Sequence, residues 1–256
     1  METFGEHLRA WRLRRRMSQL DLAGEADIST RHLSFVETGR SAPSREMVLR
    51  LAERLDVPLR ERNALLVAAG YAPMYRERPL DDPALAAARE AVQLILRGHE
   101  PYPALAVDRH WNLIAHNAAV PLLLAGIDAS LMQPPVNVLR LSLHPQGLAP
   151  RIANLGQWRH HLFERLQQQI AATGDAKLQA LERELRGYPA PTDDEHVDGE
   201  VLGIAAPLRL RSEAGVLSFI STTTVFGSPV DVTLQELALE TFFPADAETA
   251  AALRAM

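Results

Sequence analysis

Apolar side chains recur at helical spacing through the N-terminal part of the chain and predict five short helices. The first starts at Phe4 and ends in a run of arginines, whose charge suits a helix C-terminus. The fourth follows Ser44, a residue type that caps helices, and the fifth starts at Pro58, which the first turn tolerates. Gly70 and Pro73 then end the pattern, because glycine stops a helix and the residue before proline avoids helical geometry. We expect an all-α, five-helix head.

The second and third of these helices are separated by a tight turn. Ser18 can cap the second helix over residues 19–25, and Ser29 can cap the third over residues 30–37. Two short helices around such a turn form a helix-turn-helix, in which the second helix lies in the DNA major groove. Residues 18–37 therefore predict DNA binding.

The rest of the chain mixes strand and helix periodicities. The predicted strands are residues 103–107, 111–115, 203–210, 216–224 and 229–233, and the predicted helices are residues 84–96, 155–172 and 176–186. Strands followed by helices and then by more strands are typical of an α+β domain with an antiparallel sheet. The chain as a whole is therefore predicted to be α+β.

The change of pattern indicates where the domains divide. We predict a helix-turn-helix domain over residues 1–72, a linker and joining helix over residues 73–100, and a second domain over residues 101–256. Residues 1–72 carry 12 arginines and 10 acidic residues, whereas the remainder carries 15 basic and 22 acidic residues. A mildly basic head on an acidic body favours contact of the head with a polyanion.

Composition and missing motifs narrow the function further. The chain has no cysteine, which removes disulfides, thiolate zinc sites and cysteine nucleophiles, and no apolar run is long enough to cross a membrane. We expect a cytoplasmic protein. No glycine-rich phosphate loop, Gly-x-Ser-x-Gly or His-Glu-x-x-His occurs, and the acidic run at residues 193–198 favours a solvated loop over a metal site. We therefore predict a protein that is not an enzyme, with no catalytic residue, cofactor or metal.

The helix-turn-helix segment also resembles a known family. Ser18-Gln19-x-x-Leu22-Ala23, Ile28-Ser29, Leu33-Ser34, Val36-Glu37-x-Gly39-Arg40 and Pro43-Ser44 are similar to the Xre/Cro phage-repressor helix-turn-helix. The resemblance implies that Gln19 and the turn after Gly39, with Arg40 and Ser41, contact phosphates. It also implies that the third helix contacts DNA bases through Thr30, Arg31, Ser34 and Phe35, and Ser29 at the start of that helix is a further candidate for DNA contact.

Arg31 is the strongest candidate for a base contact, because a guanidinium can donate two hydrogen bonds to guanine, worth roughly 1–3 kcal/mol of discrimination. Two interpretations of Phe35 stay open, namely packing within the head and contact with a thymine methyl group. The arginine run at residues 12–16 is likewise compatible with a solvated helix end and with a DNA contact.

A second resemblance covers the remainder of the chain. Ala69-Gly70-Tyr71, Trp111-Asn112-x-x-x-x-Asn117, Asn137-Val138-Leu139-Arg140-Leu141 and Glu240-Thr241-Phe242-Phe243-Pro244 are similar to the MmyB-like regulators. That family joins a helix-turn-helix head to a PAS-like ligand-binding domain. The resemblance implies a PAS-like fold and a small, largely apolar ligand, such as an acyl chain.

A ligand pocket is mostly apolar, with a few convergent polar groups. On this ground the candidate ligand contacts are Trp111, Asn112, His116, Asn117, Arg140 and Trp158. Arg140 suits either a ligand carboxylate or a structural salt bridge. Asn117 also suits a helix cap, and Trp158 also suits the core.

These observations predict a sequence-specific DNA-binding transcriptional regulator, a repressor rather than an activator, that senses a small molecule. One head contacts only a few base pairs, so we expect a homodimer on a near-palindromic operator with half-sites about 34–36 Å apart. Two alternatives stay open: a non-DNA protein-interaction module, and a small-molecule enzyme with a vestigial helix-turn-helix.

Overall fold

The computed structural model describes residues 3–189, 206–227 and 231–255, which form two compact units. Unit 1 contains the described residues up to 79 together with 171–173 and 231–235, and unit 2 contains the others. Residues 203–205 and 229–230 of the predicted strands, and the acidic run at residues 193–198, lie outside the described residues.

Unit 1 is built on the five helices that the sequence predicts. They are α1 (Phe4–Arg14), α2 (Gln19–Glu25), α3 (Thr30–Glu37), α4 (Arg45–Arg54) and α5 (Leu59–Ala68). The hydroxyls of Thr3, Ser18, Ser29 and Ser44 each accept a hydrogen bond from the backbone N–H three residues later, which starts the first four helices. The apolar faces of the helices meet in a core that includes Leu8, Leu22, Leu33, Leu51 and Leu65.

Unit 2 contains a five-stranded antiparallel sheet, which confirms the predicted α+β class. Its strands are β1 (Ala104–Val107), β2 (Leu113–His116), β3 (Leu208–Ser212), β4 (Gly215–Val225) and β5 (Ala238–Pro244). The order across the sheet is β2-β1-β5-β4-β3. In the central strand β5, Thr241 lies opposite Ala104 on one side and Thr222 on the other.

Seven further helices belong to the described chain. They are α6 (Ala86–Gly98), α7 (Ala119–Leu123), α8 (Val138–Leu143), α9 (Leu155–Thr173), α10 (Ala176–Arg186), α11 (Val232–Gln235) and α12 (Ala247–Ala255). Helix α11 and the last three residues of α9 fall in unit 1. Helix α9 packs its Trp158, Leu162 and Leu166 against one face of the sheet, and α6 packs Val92 and Leu96 against the other.

The last strand lies further along the chain than the sequence pattern indicates. Residues 232 and 233 of the predicted strand belong to helix α11, and the strand itself is β5. The pattern failed because β5 carries the buried polar residues Glu240 and Thr241, which interrupt its apolar run. Both side chains have partners in the sheet or on α9, so burying them is compatible with a central strand.

Candidate DNA-binding and ligand-binding sites

The turn between α2 and α3 is held by its own backbone. Asp27 adopts the left-handed conformation (φ 54°), and the N–H of Ile28 donates to the carbonyl of Ala23 at 3.0 Å. The hydroxyl of Ser29 then accepts from the backbone N–H of His32, which starts the third helix. The predicted helix-turn-helix over residues 18–37 is therefore present.

Helix α3 is anchored at its far end by a buried ion pair. The Nε and Nη2 atoms of Arg12 donate to the two carboxylate oxygens of Glu37 at 2.6 and 2.9 Å, and both side chains are more than nine-tenths buried. The amide of Gln19 donates to the same carboxylate at 2.7 Å. Burial acts to raise the pKa of Glu37, but the hydrogen bonds from Arg12 and Gln19 outweigh it, so the pKa is lowered. One carboxylate thus ties α3 to both α1 and α2.

This ion pair settles part of the question that the sequence left open about the arginine run. Arg12 points inward, and Arg15 donates to the carbonyls of Leu55 and Asp56 at 2.8 and 2.9 Å. Arg16 is exposed at the end of α1. Two of the clustered arginines therefore hold the helices of unit 1 together.

Arg31 and Arg40 both lie beside the ring of Phe35. The centres of their guanidinium groups are 5.4 and 6.0 Å from the ring centroid, within the range of a cation–π contact. Both arginines are exposed, and Phe35 is half-buried. The ring of Phe35 therefore packs against two guanidinium groups that are themselves exposed.

The turn after α3 brings Arg40 and Ser41 next to the end of that helix. Gly39 adopts a positive φ of 72°, and the N–H groups of Arg40 and Ser41 both donate to the carbonyl of Phe35. Of the remaining candidates for DNA contact, Ser29 is exposed and three are half-buried, namely Gln19, Thr30 and Ser34. Gln19 lies at the start of α2, and its amide is held by Glu37.

Unit 2 contains a mostly apolar cavity of about 90 Å³ between α9 and the sheet. Its lining comprises Leu105, Trp111, Leu113, Val120, Leu124, Val138, Leu139, Leu141, Ser142, Leu148, Trp158, Leu162, Arg165, Leu208, Glu240 and Phe242. An engineered apolar cavity of roughly 150 Å³ binds benzene, so this cavity suits a smaller group or a larger ligand that displaces part of its wall.

The polar part of the cavity wall is an ion pair that the sequence analysis missed. Two nitrogens of the Arg165 guanidinium donate to the carboxylate of Glu240 at 2.7 and 3.1 Å, and the hydroxyl of Thr223 donates to it at 2.9 Å. The guanidinium also lies 4.9 Å from the ring of Trp111. Arg165 and Glu240 are 75 residues apart in the sequence. The one sequence signal for this ion pair is that Glu240 lies in an otherwise apolar segment.

Of the six predicted ligand contacts, Trp111 and Trp158 line this cavity. Trp111 was expected in a strand but lies in the turn before β2 with φ 66°, and its ring nitrogen donates to Gln169 at 2.9 Å. The ring nitrogen of Trp158 donates to the hydroxyl of Ser142 at 2.9 Å. Both indoles therefore keep their polar atoms satisfied while their rings face apolar space.

The other four predicted contacts are not among the residues that line the cavity. Asn112 donates to Asp108, and His116 lies 2.9 Å from the carbonyl of Asn117. The buried Asn117 side chain accepts from the backbone N–H of Ala104 and donates to two carbonyls. Arg140 forms a two-bond pair with Glu184 at 2.7 Å, as the salt-bridge interpretation predicts.

Two negative findings concern the described residues alone. No three of their His, Asp or Glu side chains are close enough together to hold a metal ion. No helix in the described ranges is long and apolar enough to cross a membrane.

Comparison with protein-family models gives two matches. Residues 8–62 match a helix-turn-helix model, and residues 88–256 match the model of the MmyB-like transcription regulator ligand binding domain. A comparison with curated proteins finds no match. The two matches agree with the predicted order of a DNA-binding head followed by a ligand-binding domain, and the second spans more than half of the chain. The chain therefore belongs to the MmyB-like transcription regulators, DNA-binding proteins that carry a ligand-binding domain.

Proposed function

We propose that the protein is a repressor that binds a specific operator through α3 and the flanking turns. Arg31 carries this proposal, because it is exposed near the start of α3 and Phe35 lies beside its guanidinium. A supported guanidinium can donate two hydrogen bonds to guanine in the major groove. Thr30, Ser34 and Phe35 border the same surface and take the neighbouring base contacts.

Gln19, Arg40 and Ser41 contact phosphates, and Ser29 caps the helix that contacts the bases. Phosphate contacts position a protein on DNA without selecting a sequence. The exposed Arg40 is the cation of this group, and its backbone N–H is already used by Phe35, so its side chain makes the contact. We propose repression rather than activation, because a protein bound to a promoter blocks transcription without contacting another protein.

The working form is a homodimer on a near-palindromic operator. A single head spans too few base pairs for a useful specificity, and two heads read half-sites about 34–36 Å apart. Selection of binding sites from random DNA, followed by footprinting, tests this. A near-twofold site protected on both halves is expected, whereas binding that ignores sequence and salt would favour a non-DNA interaction module.

The ligand of unit 2 is small and largely apolar, and it occupies the cavity between α9 and the sheet. Trp111 and Trp158 supply aromatic walls, and the ion pair of Arg165 with Glu240 supplies the polar end. Native mass spectrometry of freshly purified protein tests the site, with Val138→Phe as a variant that fills the cavity. A retained small molecule should be lost in that variant and kept in Leu122→Phe, whose residue is exposed on α7.

The protein acts as a regulator rather than an enzyme, and it works in the cytoplasm, in the same compartment as its operator DNA. Both matched models are those of DNA binding and ligand binding. Chemical conversion of a retained molecule, monitored by mass spectrometry over time, would contradict the proposal that the protein is not an enzyme. An unchanged molecule is the expected result.

A further inference from the structure

Helix α6 is apolar on two opposite sides. One side carries Val92 and Leu96, which are buried against the sheet. The opposite side carries Leu94, which is 68% exposed, and Ile95, which is 40% exposed, lies between the two sides. A helix that is apolar on both sides is normally covered on both sides. The outer side of α6 therefore needs a partner.

The outer side is a defined surface, which we call the α6 stripe: Ala87, Ala91, Leu94 and Gly98, with Ile95 at its edge. At 100° per residue, the first four positions fall within an arc of about 60°. The space above Gly98 is open, since a side chain added there would meet no atom within 4 Å. Small residues on either side of one large residue allow another helix to approach closely.

We propose that the α6 stripe is the homodimer interface, and that the second copy packs its own α6 against it in antiparallel orientation. This inference rests on the proposed homodimer and adds the surface that forms it. A twofold axis makes the same stripe serve both copies. With that axis between positions 92 and 93, Leu94 faces the partner's Ala91, and Ala87 faces the partner's Gly98. Leu94, the large residue of the stripe, thus meets a small one.

Charge selects the antiparallel orientation. Glu90 and Arg97 flank the stripe on one side and are both exposed. In an antiparallel pair, Glu90 lies near the partner's Arg97, and this contact occurs twice. In a parallel twofold pair, Glu90 and Arg97 would lie on the opposite side of the seam from the partner's Glu90 and Arg97, so this contact would be lost. The stripe is therefore complementary to itself in only one of the two orientations.

Light scattering during size-exclusion chromatography of the full chain tests the surface. The wild type should have twice the mass of the 28.3 kDa chain, and Leu94→Glu should have the mass of one chain. Leu122→Glu is the matched control, because Leu122 is an exposed leucine of the same unit outside the stripe, and it should stay dimeric. Far-ultraviolet circular dichroism should be the same for all three proteins.

The outcomes separate this inference from the proposed function. A wild type that is monomeric, both free and on operator DNA, would overturn the homodimer and the α6 stripe together. A dimeric Leu94→Glu, or a monomeric Leu122→Glu, would overturn the α6 stripe alone.

Charge reversal tests the orientation. Glu90→Arg or Arg97→Glu alone should weaken the dimer about tenfold, because each replaces two attractive contacts with two repulsive ones. An equal mixture of the two variants should form a heterodimer as tight as the wild type, since each Glu90–Arg97 contact then joins opposite charges. A mixture that stays as weak as the separate variants would overturn the antiparallel arrangement.

Discussion

Arg12 in α1 and Glu37 at the end of α3 form a buried two-bond ion pair, and the side chain of Gln19 joins them on the same carboxylate. These contacts fix the end of α3 relative to both helices that precede it. The helix-turn-helix is thus held by a polar cluster as well as by its apolar core.

Loss of one member of this pair should destabilise unit 1 strongly. Arg12→Met leaves a buried carboxylate without its cation, which costs about 3–5 kcal/mol in proteins. Replacing both residues, in Arg12→Met/Glu37→Met, should cost less than Arg12→Met alone, because no buried charge remains. Chemical denaturation, monitored through hydrogen exchange of the α2 and α3 amides, measures the free energy of unfolding of each variant. A double variant less stable than the single one would contradict the ion pair.

The pH dependence of unit 1 should follow from the lowered pKa of Glu37. The folded state binds this proton less readily than the unfolded chain, whose glutamate pKa is about 4.3. The stabilisation is therefore present above that value and is lost as the pH falls through the folded pKa. The free energy of unfolding of the wild type should exceed that of Glu37→Gln at pH 7. This difference, measured by hydrogen exchange, should shrink as the pH falls to 3. A constant difference would exclude the carboxylate as its source.

Gly5 in α1 lies close to the backbone at the end of α3. A Cβ atom added at Gly5 would lie 2.2 Å from the backbone oxygen of Glu37, which cannot move without displacing α3. We expect Gly5→Ala to destabilise unit 1 by more than about 2 kcal/mol and to weaken DNA binding. Gly24→Ala is the control, since nothing lies within 4 Å there and alanine favours a helix by about 1 kcal/mol. Equal effects on melting temperature would refute the close approach.

Local signals explain why the head was predictable from the sequence. Ser18, Ser29 and Ser44 cap helices through hydrogen bonds that span three residues, so the sequence around each one specifies the cap. Contacts between distant residues gave no such signal. The Arg12–Glu37 pair spans 25 residues and the Arg165–Glu240 pair spans 75, and neither could be assigned before the fold was known.

Among the predicted ligand contacts, only the two aromatic residues line the cavity. Trp111 and Trp158 were chosen for their apolar rings, and both line the cavity. Asn112, Asn117 and Arg140 were chosen because polar groups often converge on ligands, but their partners are other residues of the domain. Polar residue type alone does not distinguish a ligand contact from a structural hydrogen bond.

The cavity should accept a small apolar probe. Xenon binds to dry cavities lined by apolar side chains, and one atom fits within the cavity of about 90 Å³. Methyl resonances of Leu139 and Leu162 should shift under xenon pressure in the wild type and in Leu122→Phe, but not in the cavity-filling Val138→Phe. Shifts that persist in Val138→Phe would place the xenon elsewhere.

Comparing Arg31 with Arg40 tests the proposed DNA contacts most directly. Both are exposed and both contact Phe35, yet we assign Arg31 to a base and Arg40 to a phosphate. The decisive measurement is the affinity of wild type, Arg31→Ala and Arg40→Ala for the selected operator and for each of its single-base variants. Arg31→Ala should lose roughly 1–3 kcal/mol and its preference at one position in each half-site, whereas Arg40→Ala should weaken all sequences evenly. Even weakening by both substitutions would contradict the account.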